Sequence, residues 1–174
     1  MQPIKCFDVS EFNNALSIDS APMKYCDYGI LRFGGQFGID RHFHYNYSVM
    51  RQNHKKLALY ICCTNPIIVD MLISKYRDAY SQHHLFLDYE DSDIEKYIEA
   101  YSNVDKHGLS FYCSESDQER VQKLFNPCCK WIANYSSDTP PENCDIWQRG
   151  TEQYQWNSYD INEIVTEAGL SIFS

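Results

Sequence analysis

The most informative stretch of the sequence lies at residues 85–91: Leu85-Phe86-Leu87-Asp88-Tyr89-Glu90-Asp91. A short apolar run of this kind is typical of a buried strand. Side chains two positions apart on a strand point to the same face, so Asp88 and Glu90 are expected to project together. Two close carboxyl groups disfavour each other's ionisation, and glycoside hydrolysis uses such a pair. Acids in front of a helix also serve as caps, so the spacing alone leaves both interpretations open.

Short apolar runs alternate with helical patterns on both sides of this stretch. Strands are predicted at five places: Ile4–Val9, Tyr28–Phe33, Leu57–Cys62, Leu85–Tyr89 and Leu109–Cys113. Helices are predicted between them, at Arg41–Asn53, Ile67–Gln82, Asp93–Lys106 and Glu115–Phe125. Two start signals support these helices: Asn65-Pro66 has the pattern of a cap followed by proline, and Ser92 with Glu95 has capping-box spacing.

The pattern changes after Asn126, where three further strands are predicted with little room for helices. They lie at Lys130–Tyr135, at Asp145–Gln148 and around Tyr154–Tyr159. Alternating strands and helices imply parallel pairing. The sequence therefore predicts an α/β fold with eight strands, an incomplete β/α barrel whose active site lies at the C-terminal ends of the strands.

Two more acids lie at strand ends. Asp8 ends the first apolar run, and Asp160 ends the last one. Because the first and last strands of a closed barrel are neighbours, these two carboxyl groups are expected to meet at the same mouth as Asp88 and Glu90. Each acid alone is more often a turn or cap residue, but four acids at strand ends favour a catalytic site.

Length and charge exclude several classes of function. The 174 residues suit one domain, and the net charge of -9 with a pI of about 5.0 excludes the basic surface that nucleic-acid binding needs. The longest apolar run, Leu57–Cys63, is too short to cross a bilayer. We see no signal peptide at the start of the sequence and therefore expect synthesis in the cytoplasm.

The eight cysteines and six histidines raise two other possibilities. Most of the cysteines lie in apolar runs, which favours buried, reduced thiols over a disulfide framework, and argues against an activated Cys113 or Cys62 nucleophile. The histidines, among them His42, His44 and the pair His83-His84, lack the spacing of zinc ligands. We therefore expect no metal and no cofactor, since only tertiary convergence could assemble a metal site.

The ordered series of motifs resembles that of the glycoside hydrolase family 25 lysozymes, which are peptidoglycan muramidases. The resemblance covers nearly the whole chain. Its motifs, in order, are Phe7-Asp8-Val9-Ser10, Tyr28–Gly35 with Arg32, the series Asp40, Phe43 and Asn46, then Leu59-Tyr60, Asp88-Tyr89-Glu90, Trp131–Tyr135, Trp147-Gln148 and Asp160-Ile161-Asn162. The chain departs from the family at Ile61, where histidine is usual, at Phe12-Asn13, and at residues 154–158.

The resemblance implies a fold, an activity and a set of site residues. The fold is an irregular single-domain (β/α)5(β)3 barrel, expected to fill residues 1–174 as one catalytic domain without a separate wall-binding module. The activity is cleavage of the β-1,4 bond between N-acetylmuramic acid and N-acetylglucosamine, with retention of configuration. The catalytic residues it implies are Glu90 as general acid, Asp88 as the group that stabilises the substrate or the cationic intermediate, and Asp8 and Asp160 as electrostatic support. Substrate-binding residues are expected at Tyr60, Arg32, Trp131, Tyr135 and Trp147, although core packing is an equal alternative for Trp131.

The expected partner is the glycan strand of peptidoglycan, with no nucleic acid and no membrane, and the chain is expected to be a monomer. A cytoplasmic protein with a wall substrate fits a phage endolysin. The alternative is a catalytically inactive glycan-binding or phage structural protein on the same barrel, because fold does not settle function. Buried acids without a chemical task destabilise a core, which favours the enzyme.

Overall fold

The computed structural model describes residues 4–13, 15–90, 94–154 and 157–174. Its strands are β1 (Ile4–Val9), β2 (Tyr28–Gly35), β3 (Gly38–Ile39), β4 (Lys56–Ile61), β5 (His84–Tyr89), β6 (Ser110–Ser114), β7 (Lys130–Ala133), β8 (Ile146–Tyr154) and β9 (Asn157–Ile164). Its α-helices are α1 (Ala21–Tyr25), α2 (Phe43–Gln52), α3 (Pro66–Ala79), α4 (Ile94–Ala100), α5 (Gln118–Gln122) and α6 (Glu167–Ser171). Short 3-10 helices occur at Glu11–Asn13 and Glu115–Asp117.

Eight of these strands close into a barrel. β1, β2, β4, β5, β6, β7 and β8 pair in parallel in that order, and β9 runs antiparallel between β8 and β1. The two-residue strand β3 folds back on β2 at the end of the sheet. Each of the first five barrel strands is followed by helical structure before the next barrel strand, whereas no helix separates the last three strands, which confirms the predicted (β/α)5(β)3 barrel; α6 follows the last strand.

Alternation along the strands separates two apolar layers, because successive side chains point to opposite faces. Leu85, Leu87 and Tyr89 of β5 pack in the layer between the barrel and its helices, whereas Phe86 lies inside the barrel. Asp88 is the next residue of β5 on the inner face and is 4% exposed. The barrel interior is thus filled by aromatic and aliphatic side chains below and by carboxyl groups near the C-terminal mouth.

Helix α3 begins as its sequence predicts. The side chain of Asn65 accepts hydrogen bonds from the backbone N–H of Ile67 and of Ile68, with Pro66 in the first turn. Its apolar face, formed by Val69, Leu72, Ile73 and Tyr76, is buried against the sheet. The predicted capping box of the next helix includes Ser92, which lies outside the described residues.

Several predicted bounds need correction. The strands predicted before Asn126 lie within two residues of those observed, but α4 ends at Ala100 instead of Lys106, and α5 spans only Gln118–Gln122. Strands β8 and β9 form a hairpin longer than predicted, with a bulge between Gln148 and Gly150. The residues after Gln148 show no alternation of apolar and polar side chains that would indicate a strand. Only the backbone pairing with β9 shows that β8 continues. Helices α1 and α6 and strand β3 were not predicted.

All eight cysteines are free thiols. Six are buried, Cys62 is half-buried, and Cys128 is exposed. Within the described part of the chain, no helix combines the length and the hydropathy that crossing a membrane requires.

Candidate active site

Asp88 and Glu90 meet at the C-terminal end of β5. The side chain of Asp88 is buried, and its Oδ1 has no hydrogen-bond partner among the described residues. Glu90 is exposed, and the hydroxyl of Tyr97 donates to its Oε2 at 3.4 Å. Carboxylate oxygens of the two acids lie within 4.8 Å of each other. The structure therefore brings these two predicted residues together on one face.

The environment of Asp88 disfavours its charged form. Burial raises the pKa of Asp88 well above its usual value, and the nearby charges of Glu90 and Asp8 raise it further. A hydrogen bond with Cys62 and the positive charge of Arg32 act in the opposite direction but are weaker. A buried carboxyl group with an unpaired oxygen is thus held at the barrel mouth, where a ligand could satisfy it.

Asp8 and Asp160 form a second pair of acids. The register of β1 and β9 places them opposite each other, as predicted for the first and last strands. Asp8 Oδ2 accepts hydrogen bonds from Gln148 Nε2 at 3.0 Å and from Asn162 Nδ2 at 2.9 Å, and Thr151 Oγ1 donates to Asp160 Oδ1 at 2.8 Å. Burial, followed by the charge of Asp160, raises the pKa of Asp8 to about 8. Burial also raises the pKa of Asp160.

The amide of Gln148 connects Asp8 to the wall of the cleft. Its Oε1 accepts hydrogen bonds from the hydroxyl groups of Tyr112 at 2.7 Å and of Tyr135 at 2.5 Å, while its Nε2 donates to Asp8. Gln148 and Asn162 belong to the sequence motifs described above, but the sequence predicts no role for either residue. Their positions on the inner faces of β8 and β9 could have identified them, since only inner-face polar groups reach Asp8.

Arg32 lies in a buried ion-pair network. Its Nε donates to Asp40 Oδ2 at 2.8 Å, its Nη2 contacts Glu11, and its guanidinium lies 4.6 Å from the centre of the Phe12 ring. That Arg32 binds substrate stays a prediction: its guanidinium borders the cleft and is paired with two carboxylates.

The two tryptophans that were predicted to bind substrate, Trp131 and Trp147, are buried. Trp131 is 2% exposed inside the barrel, where its Nε1 donates to Asn162 Oδ1 at 2.7 Å. Trp147 is 4% exposed on the outer face of β8, where its Nε1 donates to the carbonyl of Asn134. Neither ring presents a face to a ligand, so core packing describes both. Tyr60 is also nearly buried, with its ring edge-on to Trp131, whereas Tyr135 is 61% exposed at the mouth.

Two cavities meet at Glu90. One, of about 470 Å³, is lined by Tyr112, Ser114, Glu115, Asn134 and Tyr135. The other, of about 290 Å³, lies on the opposite side and is lined by Phe12, Arg32, Gln36, Phe37 and Tyr97. Phe12 and Phe37 are 80% and 99% exposed, and they are aromatic surfaces that sequence reasoning missed. We call these two cavities together the groove; Glu90 lines both of them, an arrangement suited to a chain-like ligand.

The departure from the family at Ile61 lies outside this groove. Ile61 packs in the apolar layer behind the barrel wall, and its carbonyl accepts a hydrogen bond from Tyr101. The departure at residues 154–158 includes Gln155 and Trp156, which lie outside the described residues.

One group of candidate metal ligands exists within the described ranges: Cys62, Asp88 and Glu90. Of the histidines, His83 and His84 are paired with Tyr47 and Ser110.

Comparison with solved structures identifies the fold. The chain superposes on the catalytic domain of the endolysin ply40 from Listeria monocytogenes bacteriophage P40 with a TM-score of 0.73, 15% identity, and coverage of 98% of this chain and 97% of that one. It superposes on a family 25 lysozyme from Aspergillus fumigatus with a TM-score of 0.70, 12% identity, and coverage of 99% and 100%. The chain has the family 25 lysozyme fold.

A third structure with this fold contains a ligand. The modular autolysin LytC of Streptococcus pneumoniae, in complex with a synthetic peptidoglycan ligand, matches with a TM-score of 0.63 and 17% identity, over 94% of this chain and 47% of that one. No protein-family model and no curated protein sequence matches the chain. The chain therefore shares the fold with these solved structures at only 12–17% sequence identity.

Proposed function

We propose that the chain is a peptidoglycan hydrolase, a muramidase that cleaves the β-1,4 bond between N-acetylmuramic acid and N-acetylglucosamine. The observation that carries the proposal is the Asp88–Glu90 pair at the middle of a groove that continues on both sides. A glycan lying along this groove would present a glycosidic bond to the pair, with sugars on either side. The ply40 endolysin and the Aspergillus lysozyme, which share the fold, support a wall glycan as the substrate.

The separation of the two acids favours retention of configuration. Inverting glycosidases hold their carboxyl groups roughly 6.5–9.5 Å apart to admit a water molecule, whereas retaining enzymes hold them about 5–5.5 Å apart. The carboxylate oxygens of Asp88 and Glu90 lie within 4.8 Å of each other. This separation is closer to that of the retaining enzymes and supports the proposal of retention.

Each acid has a role that follows from its exposure. Glu90 is exposed in the groove and can reach the glycosidic oxygen, so it is the proposed general acid. Asp88 is buried, and its unpaired Oδ1 can accept the N–H of the substrate's acetamido group or stabilise the cationic intermediate. Asp8 and Asp160 would place two further acidic groups behind the reacting carbon as electrostatic support, with Asp8 held in place by Gln148 and Asn162.

The carbohydrate contacts are proposed to come from exposed aromatic rings. Tyr135 lies on one side of Glu90, and Phe12 and Phe37 lie on the other. Aromatic faces pack on the apolar faces of pyranose rings. With a net charge of -9, the chain would be repelled by an acidic wall at long range, so these short-range contacts would provide the affinity.

We further propose that the single barrel acts alone, as a monomer, in the manner of a phage endolysin. The ply40 endolysin supports the phage role, because its catalytic domain has nearly the same extent and the same fold. To test the role, purified protein is added to intact cells and to cells with permeabilised membranes. Lysis of the permeabilised cells alone fits an endolysin that reaches the wall from the cytoplasmic side. Analytical ultracentrifugation of an active sample decides the oligomeric state.

The decisive experiment identifies the sugar at each new chain end. Purified protein is incubated with peptidoglycan from several bacteria, and reducing ends are assigned by mass spectrometry. Reducing-end muramic acid is expected from the wild type and is expected to be lost in Glu90→Gln. The matched control is Glu99→Gln, the same change at an exposed site on α4. NMR of the first-formed anomer tests retention.

Two other outcomes have defined meanings. Reducing-end glucosamine would keep a glycoside hydrolase but would overturn the proposed bond. Sedimentation of the folded protein with the wall, without any new reducing ends, would replace the enzyme with a glycan-binding protein.

A further inference from the structure

Cys62 lies beside the two acids of the proposed active site. Residues Ile61 and Leu87 are partners on the parallel strands β4 and β5, so the next residues, Cys62 just beyond β4 and Asp88 near the end of β5, lie side by side. The Sγ of Cys62 and one carboxylate oxygen each from Asp88 and Glu90 all lie within 4.8 Å of one another. One sulfur and two oxygen atoms thus converge from two adjacent strand ends.

A second observation shows that this cluster has an unmet bonding capacity. Asp88 is 4% exposed, yet its Oδ1 has no hydrogen-bond partner within the described ranges. Buried polar atoms are almost always satisfied by a protein group, a water molecule or an ion. Because Glu90 is exposed and Cys62 is half-buried, solvent and small ions can reach the cluster.

We propose that Cys62, Asp88 and Glu90 bind a thiophilic divalent cation of the Zn²⁺ class, and that this cation blocks the cleft. Zn²⁺ accepts thiolate and carboxylate ligands and is commonly held by three protein groups with a fourth position open to water. Mg²⁺ and Ca²⁺ prefer sites made of oxygen atoms alone, so the sulfur selects against them. The inhibitory part of the proposal rests on the proposed function, because the cation would occupy Glu90, the proposed acid.

The geometry needs only a small adjustment. Zn–S and Zn–O bonds of about 2.3 and 2.1 Å in a tetrahedron separate the ligand atoms by roughly 3.4–3.6 Å. The present separations reach at most 4.8 Å, so a shift of about 1 Å is sufficient. The exposed side chain of Glu90 can supply this shift by a rotamer change. The Tyr97 hydroxyl, 3.2 Å from Cys62 Sγ and 3.4 Å from Glu90 Oε2, is placed to support two of the ligands.

Direct binding tests the site independently of catalysis. Chelator-treated full-length protein is titrated with Zn²⁺ by calorimetry and with Co²⁺ by absorption spectroscopy. One ion per chain and a near-ultraviolet thiolate-to-cobalt charge-transfer band are expected. Mg²⁺ and Ca²⁺ are expected to give no comparable binding. A chain that binds neither Zn²⁺ nor Co²⁺ at a single site would overturn the proposal.

Variants assign the ligands. Cys62→Ser is expected to lose the charge-transfer band and to weaken Zn²⁺ binding at least about tenfold, whereas Cys128→Ser, a change at the exposed cysteine, keeps both. Glu90→Gln, an exposed change that spares the fold, is expected to weaken binding while keeping the band. A band that persists in Cys62→Ser, or unchanged affinity in both cleft variants, would overturn the assignment.

The inhibitory effect is measured with the glycan. Zn²⁺ is expected to abolish cleavage, a chelator to restore it, and the Cys62→Ser variant to retain its own metal-free rate when Zn²⁺ is added. Equal inhibition of Cys62→Ser and wild type would refute the blocking role. If the metal-free protein cleaves no glycan, the muramidase proposal fails, while calorimetry and the cobalt spectrum still decide the metal site.

Discussion

Asp8 and Asp160 face each other directly across the antiparallel strand pair that closes the barrel. Asp8 is buried and accepts two amide hydrogen bonds, whereas Asp160 is half-buried and accepts one from Thr151. Their proximity means that ionisation of one disfavours ionisation of the other. The closure of the fold and the electrostatics of the proposed site therefore depend on the same pair.

The raised pKa of Asp8 predicts that the free energy of unfolding falls as the pH rises. The pKa of Asp8 is raised to about 8, above the value of about 3.9 in an unfolded chain. The folded state therefore binds more protons between these values, and the free energy of unfolding decreases as the pH rises from about 4 to about 8. For a single carboxyl group this slope is at most about 1.4 kcal/mol per pH unit.

Asp8→Asn isolates that contribution. The variant is expected to flatten the decline in urea-unfolding free energy between pH 5 and pH 8 and to be more stable than the wild type at pH 8. Asp138→Asn, the same change at an exposed position, is the control and is expected to leave the slope unchanged. If the unfolding free energy of Asp8→Asn falls with pH as steeply as that of the wild type, groups other than Asp8 cause the decline.

Asp88→Asn is expected to raise stability while lowering activity. Burial and the charge of Glu90 raise the pKa of Asp88, so the carboxyl group costs folding free energy at neutral pH that a neutral amide does not. Loss of the carboxyl group should reduce cleavage about 100-fold or more. Thermal unfolding and the rate of reducing-end release measure the two effects. A variant that is less stable than the wild type at pH 7 would contradict the first.

Trp131→Phe tests the core assignment of this residue. The change removes part of a fully buried ring and leaves Asn162 Oδ1 without the indole donor. The expected loss of unfolding free energy is about 2–4 kcal/mol, measured in urea. Tyr45→Phe, at an exposed ring, should change it by less than about 0.5 kcal/mol. A stable Trp131→Phe protein with weakened glycan binding would instead restore the role of a sugar-binding wall.

Phe37→Ala tests the proposed aromatic surface of the cleft. Phe37 is 99% exposed beside the cavity that contains Glu90, so its removal should leave the melting temperature unchanged. Loss of ring packing on a sugar is expected to raise KM up to about tenfold with little change in kcat. Ile67→Ala, at an apolar residue of α3 that is 79% exposed, is the control. An unchanged KM in Phe37→Ala would remove this ring from the binding surface.

The fold could be predicted from the sequence because its signals are local. Apolar runs marked the barrel strands, and strand–helix alternation implied the parallel pairing that the structure confirms. The meeting of Asp8 with Asp160 followed from closure alone. The resemblance to family 25 supplied the five-plus-three arrangement, which the solved structures confirm as a fold.

What could not be predicted depends on the face to which each side chain points. Trp131 and Trp147 are both buried, one inside the barrel and one outside it, and composition cannot distinguish a core ring from a cleft ring. Gln148 and Cys62 are separated from Asp8 and Asp88 by long stretches of sequence, so their contacts follow only from the strand register. The extension of the β8–β9 hairpin could not be predicted either, because its residues show no alternation of apolar side chains and pair through the backbone.

Strand β1 is paired with β2 on one edge and with β9 on the other. Because β9 comes last among the described strands, β1 keeps an open edge during synthesis until residues 157–164 have been made. Contacts between such distant segments form slowly, and open edges invite pairing with other chains. A product released before residue 157 would expose β1 and β8 together and aggregate. The pairing of β9 with β1 and with β8 therefore covers both of these strand edges in one step.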